Sequence, residues 1–215
     1  MSNPFGAAIT EQTVKSLSYY SEQEKITQVD CAREAMRFIH AEDKNLSALE
    51  YAWELKGRYG RGISTLVLVY NATGARVTLE QGGPNWHGQN FGLQPPRSFQ
   101  NGQWIAFLHI SGQGLLVGSE AARVFRGRDV NGRTRDFMVG WSILSSGANN
   151  AYTEIGNENY FSNRWSTVRR SLQQAKGITR AKDETCASTI SIGGFNTSEC
   201  IVVLQHQFSP LPAEL

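Results

Sequence analysis

Acid–base chemistry would need a histidine with a partner, and the four imidazoles, His40, His87, His109 and His206, stand far apart along the chain. None falls in the H-E-x-x-H spacing that puts two imidazoles on one helix face for zinc. No G-x-S-x-G elbow supplies a nucleophile for them to activate. They are read as core or surface groups, and the chain is read as a non-enzyme with no catalytic residue, no metal site and no cofactor. Nucleotide chemistry has no foothold either, because the G-x-x-x-x-G-K-[ST] loop is absent and no glycine fingerprint leads a strand into a helix. Cys31, Cys186 and Cys200 show no C-x-x-C spacing. They are expected to be reduced structural thiols, with a Cys186–Cys200 bridge left open.

What the chain does concentrate is aromatic surface in polar stretches. GGPNWHGQNFG, Gly82 to Gly92, carries Trp86 and Phe91 in a run too glycine-rich and polar to read as strand or helix. Trp141 stands where RTRDFMVGWSIL runs out into SSGANN, and Tyr152, Tyr160, Phe161 and Trp165 are spread across AYTEIGNENYFSNRW. Rings gathered at the loops of a rigid scaffold can stack on sugars, enclose a quaternary ammonium by cation–π attraction, or dip into a membrane interface. Ser142 and Asn85, Asn90, Asn149, Asn150, Asn159 and Asn163 lie beside them to hydrogen-bond a phosphate or hydroxyl. The candidate ligand-binding set is therefore Trp86, Phe91, Trp141, Ser142, Tyr152, Tyr160 and Trp165. The competing reading is that these rings close one end of a core, because an indole supplies so much buried area. Trp104, inside QWIAFLHI, is core on either reading.

Two kinds of element must position those rings. From about Thr10 to Tyr59 the composition is helical and three segments are expected. One runs from Thr10 to about Tyr20, one is led by Thr27 with Val29, Ala32, Met36 and Ile39 at helical spacing, and one is capped by Asn45. Glu and Lys interrupt every face, so the apolar stripes are expected to pack on a core rather than enter a bilayer. From Ile63 the period changes. ISTLVLVY, ARVTLEQ, QWIAFLHI, SEAARVFRG, RTRDFMVGWSIL, CASTISIG and CIVVLQHQF read as short strands, with NATG (Asn71 to Gly74) and Asn131-Gly132 as hairpin turns. Tyr160 to Lys176 reads as a helix with Trp165, Val168 and Leu172 on one side. The expected fold is α+β and mainly β. A single domain spans 1–215, with a helical region at 1–60 and an antiparallel β-sandwich at 61–215 that carries at least one connecting helix.

With 21 basic and 19 acidic residues the net charge is +2, which is no footprint for nucleic acid. MSNPFGAAITEQ lacks the charged and apolar regions of a signal peptide, and no run reaches membrane-spanning length. A cytoplasmic protein that also enters the nucleus by diffusion is expected, with the N-x-S/T matches at Asn45, Asn71 and Asn196 arising by chance.

The stretches VDCAREAMRFIHAEDKNLSALEYAWELKGRYG, TLVLVYNATG, NWHG, NGQWIAFLH, VFRG and AYTEIGN resemble the plant 23 kDa jasmonate-induced protein family over nearly the whole chain. That family offers no catalytic residues to transfer. From Ile63 onward the order of elements is similar to the actinoporin-like β-sandwich, which also occurs in nakanori, a mushroom sphingolipid-binding protein. VYNATG, PRSFQNGQ and DVNGR ahead of FMVGWS carry that likeness. In actinoporins the strand corresponding to FMVGWSIL has a serine and a proline, and with a following tyrosine-rich segment it holds phosphocholine. This chain has Gly140, Trp141 and Ser142 there, no proline, and Tyr152 beyond. The long amphipathic pore-forming segment is not matched by Thr10 to Tyr59. The resemblance implies a stress-inducible plant protein that binds a lipid headgroup or membrane surface, of sphingolipid or phosphocholine type, without forming pores. A lectin-like, glycan-binding defence protein is the alternative. An enzyme would need His87 or His109 in a pocket beside a carboxylate, and a protein-interaction role and homo-oligomer formation stay open.

Overall fold

Two threonines start the helical region of the computed structural model, which describes residues 3–112 and 118–207. Thr10 caps α1 (Glu11–Lys15) and Thr27 caps α2 (Gln28–Arg37). Each side chain accepts from the backbone N–H three residues on, and the side chain there accepts from the cap's own N–H. Such reciprocal boxes satisfy N–H groups that a helix start leaves open. Thr27→Ala is expected to cost about 1 kcal/mol of stability, read as a lower urea midpoint at unchanged slope.

Asn45 does not cap the third helix. α3 (Lys44–Tyr59) starts before it, behind Asp43, whose φ is 52°. The determinant here is tertiary: Lys44 is buried and its Nζ donates to Tyr70 Oη at 3.2 Å and to the Gly102 carbonyl at 2.9 Å. Burial pushes that amine down to about 8.

After Gly62 branched residues take over. β1 (Ser64–Ala72) is buried at every position, because it lies inside a sheet covered on both faces. The first sheet runs β10 (Ile178–Lys182), β11 (Cys186–Ile192), β12 (Thr197–His206), β1, β6 (Trp104–Ile110), β4 (Gln89–Phe91). The second runs β5 (Ser98–Phe99), β2 (Val77–Leu79), β7 (Ser119–Arg128), β8 (Thr134–Ile143), β9 (Asn150–Asn157), with β3 (Asn85–His87) also on β7. α4 (Trp165–Gln174) follows β9 in the chain. The pairing is antiparallel except between β1 and β12, which run parallel, so the sandwich is not purely antiparallel as expected.

Asn131-Gly132 does close the β7–β8 hairpin, with Gly132 at φ 75° and Asp129 Oδ1 accepting from the N–H groups of Asn131 and Arg133. NATG does not close one. β1 and β2 lie in different sheets, and Asn71, whose Oδ1 accepts from Thr73 N and Oγ1, turns the chain across the sandwich.

Three apolar layers result. Leu66, Leu68, Tyr70 and Trp104 face α1–α3. Val67, Val69, Phe107, Phe125, Phe137 and Trp141 fill the space between the sheets. Ala122, Val124, Met138, Phe161 and Val168 pack on the outer face of the second sheet. All three cysteines are free and buried. Cys186 pairs in register with His206 and Cys200 with Ile192, at opposite ends of one hairpin, so no bridge joins them.

Candidate functional site

The loop that carries Trp86 and Phe91 contains two short strands rather than none. β3 bonds to β7 in the second sheet and β4 to β6 in the first, so Asn85 to Phe91 is a strap between the sheets. Gly88 makes the crossing at φ 95°, where a Cβ would collide with the Ile110 carbonyl oxygen. Only glycine fits there. The two rings consequently part: Trp86 joins the outer face of the second sheet, whereas Phe91 packs on the helical side, 5.5 Å from the Tyr59 ring.

That outer face gathers four of the seven expected residues. α4 lies across β8 and β9 with Val168 and Leu172 buried, and Trp165 is its first residue. Phe161 stacks on Trp165 at 6.4 Å and meets Tyr160 edge-on at 5.0 Å. Trp86, Tyr152 and Trp165 are half-buried against the same cluster, and Tyr160 is 39% exposed. Tyr152 Oη donates to Glu154 Oε2 at 3.1 Å, and burial raises its pKa.

Trp141 and Ser142 lie inside the protein rather than at its surface. Trp141 is fully buried between the sheets, edge-on to Phe107 at 5.9 Å and to His109 at 5.4 Å. Alternation sends it inward while Met138 and Gly140 face out. Ser142 is 2% exposed, in register with Glu120. Trp141 and Ser142 therefore lie inside the protein, and the half-buried Phe91 lies on the helical side, apart from the other four.

Two of the remaining rings already have a cation. The Arg164 guanidinium sits 4.4 Å from the Tyr160 centroid and Arg169 lies 5.6 Å from that of Trp86. Beside Trp165, a cleft of about 240 Å³ is lined by Phe161, Glu80, Arg126, Asp136 and Asn159. Arg126 bonds Asp136 at 2.7 and 2.9 Å and pairs with Glu80 at 3.2 Å and Glu158 at 3.3 Å. Three carboxylates around one guanidinium leave this corner net negative, next to aromatic faces. Such a corner favours a cation, best a weakly hydrated one. Sequence reasoning passed over these charges. The available signal was Arg126 and Asp136 beside the apolar residues of β7 and β8.

A histidine does stand beside a carboxylate. Glu120 Oε2 is 3.5 Å from His87 Nε2, yet Arg169 takes that fully buried carboxylate at 2.8 and 3.3 Å and donates to His87 Nε2 at 3.1 Å. Lone pair and carboxylate are both committed, so the trio ties α4 to β7 rather than moving a proton. His109 is buried, with Nδ1 against Ser119 Oγ at 2.8 Å and Nε2 against Asn85 Oδ1 at 3.2 Å. Burial, aided by the Arg123 charge, pushes it down to about 3, too weak for a general base at neutral pH. The asparagines are also engaged: Asn149 donates to the carbonyls of Gly193 and Phe195, and Asn159 accepts from Arg126.

Against known proteins, the chain is 38% identical over 161 residues to the 23 kDa jasmonate-induced protein of Hordeum vulgare, covering 74% of this chain and 75% of that one. It is 26% identical over 140 residues to a jasmonate-induced protein homolog of Atriplex canescens, covering 62% and 74%. Among solved structures it superposes on the lipid binding protein Nakanori with a TM-score of 0.84 at 25% identity, over 94% of this chain and 99% of that one. The helical flank, the two sheets and the strap between them all fall within residues 5–207, the span matched by the Nakanori-like protein model, and the chain belongs to that family.

Proposed function

We propose that this is a jasmonate-induced plant protein that binds a membrane lipid through its headgroup, of phosphocholine or sphingolipid type, from the cytosol and without forming pores. The observation that carries the headgroup reading is the negative corner beside Trp165 and Phe161, where a quaternary ammonium would meet ring faces and carboxylates together. Similarity over nearly the whole chain to a protein described as lipid binding supports the lipid. The relative in Hordeum vulgare supports the induction. The non-lytic reading rests on how the helical region is held. Asn101 Nδ2 donates to the carbonyls of Ile9 and Cys31, Tyr70 Oη to that of Ala35, and Trp104 Nε1 to that of Ile39. Releasing α1–α3 into a bilayer would strip these buried bonds and uncover one whole layer of the core.

The test is co-sedimentation with vesicles of phosphatidylcholine, sphingomyelin with cholesterol, plant glycosylated sphingolipids or anionic lipids, with dye release read in the same tubes. Selective pelleting with dye retained is expected. Trp165→Ala should weaken it about tenfold or more while the circular-dichroism spectrum stays unchanged. Failure to pellet with any vesicle would end the proposal. Pelleting blocked by free saccharide but not by phosphocholine would move the ligand to a glycan.

A further inference from the structure

We propose that a second cleft, between the Asn85–Phe91 strap and β2, is an oxyanion site in which Arg123 and Arg97 hold a phosphate- or sulfate-type group. This inference does not rest on lipid binding. It starts from Arg123, on β7, which is 6% exposed and lies 5.6 Å over the Trp141 ring. Its NH1 donates to the carbonyls of Pro84 at 3.3 Å and Ala122 at 2.8 Å, and its NH2 to the side-chain oxygens of Asn85 at 2.7 Å and Asn90 at 3.0 Å. Every one of those acceptors is neutral. Arg126, Arg135 and Arg169 each pair with a carboxylate, but among the described residues Arg123 has none.

A guanidinium taken out of water is normally matched by a negative charge, because neutral acceptors and a ring face satisfy its hydrogen bonds without cancelling its field. Loss of a proton is no escape for arginine, even though burial lowers its pKa to about 10. The missing charge has a place to sit. Arg123 lines a cleft of about 520 Å³ with Arg97, Gln89, Asn90 and Gln94. Arg97 is exposed and likewise has no carboxylate partner among the described residues. Glu80 also borders the cleft but is held at 3.2 Å by Arg126. Arg123, whose NH1 and NH2 protons are already donated, contributes its charge, while the Arg97 guanidinium and the Gln89 and Gln94 amides contribute donors, a set that suits an oxyanion, and the volume leaves room for a substituent on it. The Glu80–Gly83 segment walls both this cleft and the negative one beside Trp165, so opposite charges are read on its two sides.

Calorimetric and thermal-shift titrations with inorganic phosphate and sulfate, against chloride at equal ionic strength, test the site. Saturable binding is expected, weakened about tenfold or more in Arg97→Gln, whose exposed side chain leaves the fold intact. Arg123→Gln should remove it. Because that variant alters the interior, nitrogen NMR of the wild-type Arg123 guanidinium supplies a second readout, and phosphate should shift it. Vesicles of phosphatidylcholine and of phosphatidic acid then identify the source. If Arg97→Gln loses pelleting along with phosphate binding, the anion is a lipid headgroup; if it loses phosphate binding alone, the anion is free in solution. Phosphate and sulfate behaving as chloride does, or an Arg97→Gln titration equal to wild type with the Arg123 resonances unmoved, would overturn the proposal.

Discussion

Replacing Trp141 by alanine is expected to cost about 3–5 kcal/mol and to lower the denaturation midpoint steeply, with any loss of ligand binding following loss of the fold. The indole is fully buried. It separates Phe107 of the first sheet from the second, and its face lies under the Arg123 guanidinium at 5.6 Å. Deleting the ring leaves a cavity and takes from a buried charge one of the groups that stabilise it. Trp141→Phe should be far milder, because the indole N–H has no hydrogen-bond partner among the described residues and phenylalanine gives up no bond. Urea unfolding of the two variants checks both statements. An alanine variant as stable as wild type would place the ring outside the core.

Acidification should destabilise the protein through His109. Its folded pKa of about 3 lies well below the ordinary 6.5, so between those values the unfolded chain binds a proton that the folded one refuses. Stability is therefore full above about pH 6.5 and falls as the pH drops toward 3, at about 1.4 kcal/mol per pH unit, or about 2 kcal/mol by pH 5. The cause is burial first, then the repulsion of Arg123. His206 is also lowered by burial and adds to the slope in the same sense, so the decisive quantity is a difference. His109→Gln should flatten the stability profile between pH 6.5 and 5 relative to wild type. Parallel profiles would show that this imidazole does not carry the acid sensitivity.

Where local chemistry decides the structure, the sequence is readable. Thr10 and Thr27 start helices by their own side chains, and Asn131-Gly132 turns a hairpin by its backbone preference. Asn71 to Gly74 shows the limit, since the same turn residues serve a hairpin or a crossover and only the distant strand order separates the two. Trp141 is hard to place for a related reason. β8 is buried on both faces over Arg135 to Ile143, so its inward and outward positions look alike. β3 and β4 are three residues each, too short for a period of two to register. The cleft at Trp165 draws its charges from Glu80, Arg126 and Asp136, in three separate segments, with Glu158 paired to Arg126 from a fourth, and no spacing along the chain announces that they meet. Its ring was visible because aromatic residues in polar stretches are conspicuous by composition alone.

The parallel seam between β1 and β12 sets an order of events during biosynthesis. Ser64 and Thr197, partners at its start, are separated by 133 positions. A ribosome needs on the order of ten seconds to cover that interval. Until β12 is made, β6 is the one native neighbour β1 can gain, and Val67 and Val69 wait for a layer whose other members include Cys200, Val202 and Leu204. The nascent chain must therefore carry an unfinished sheet until β12 has emerged, so closure of this sandwich waits for residues 197–206.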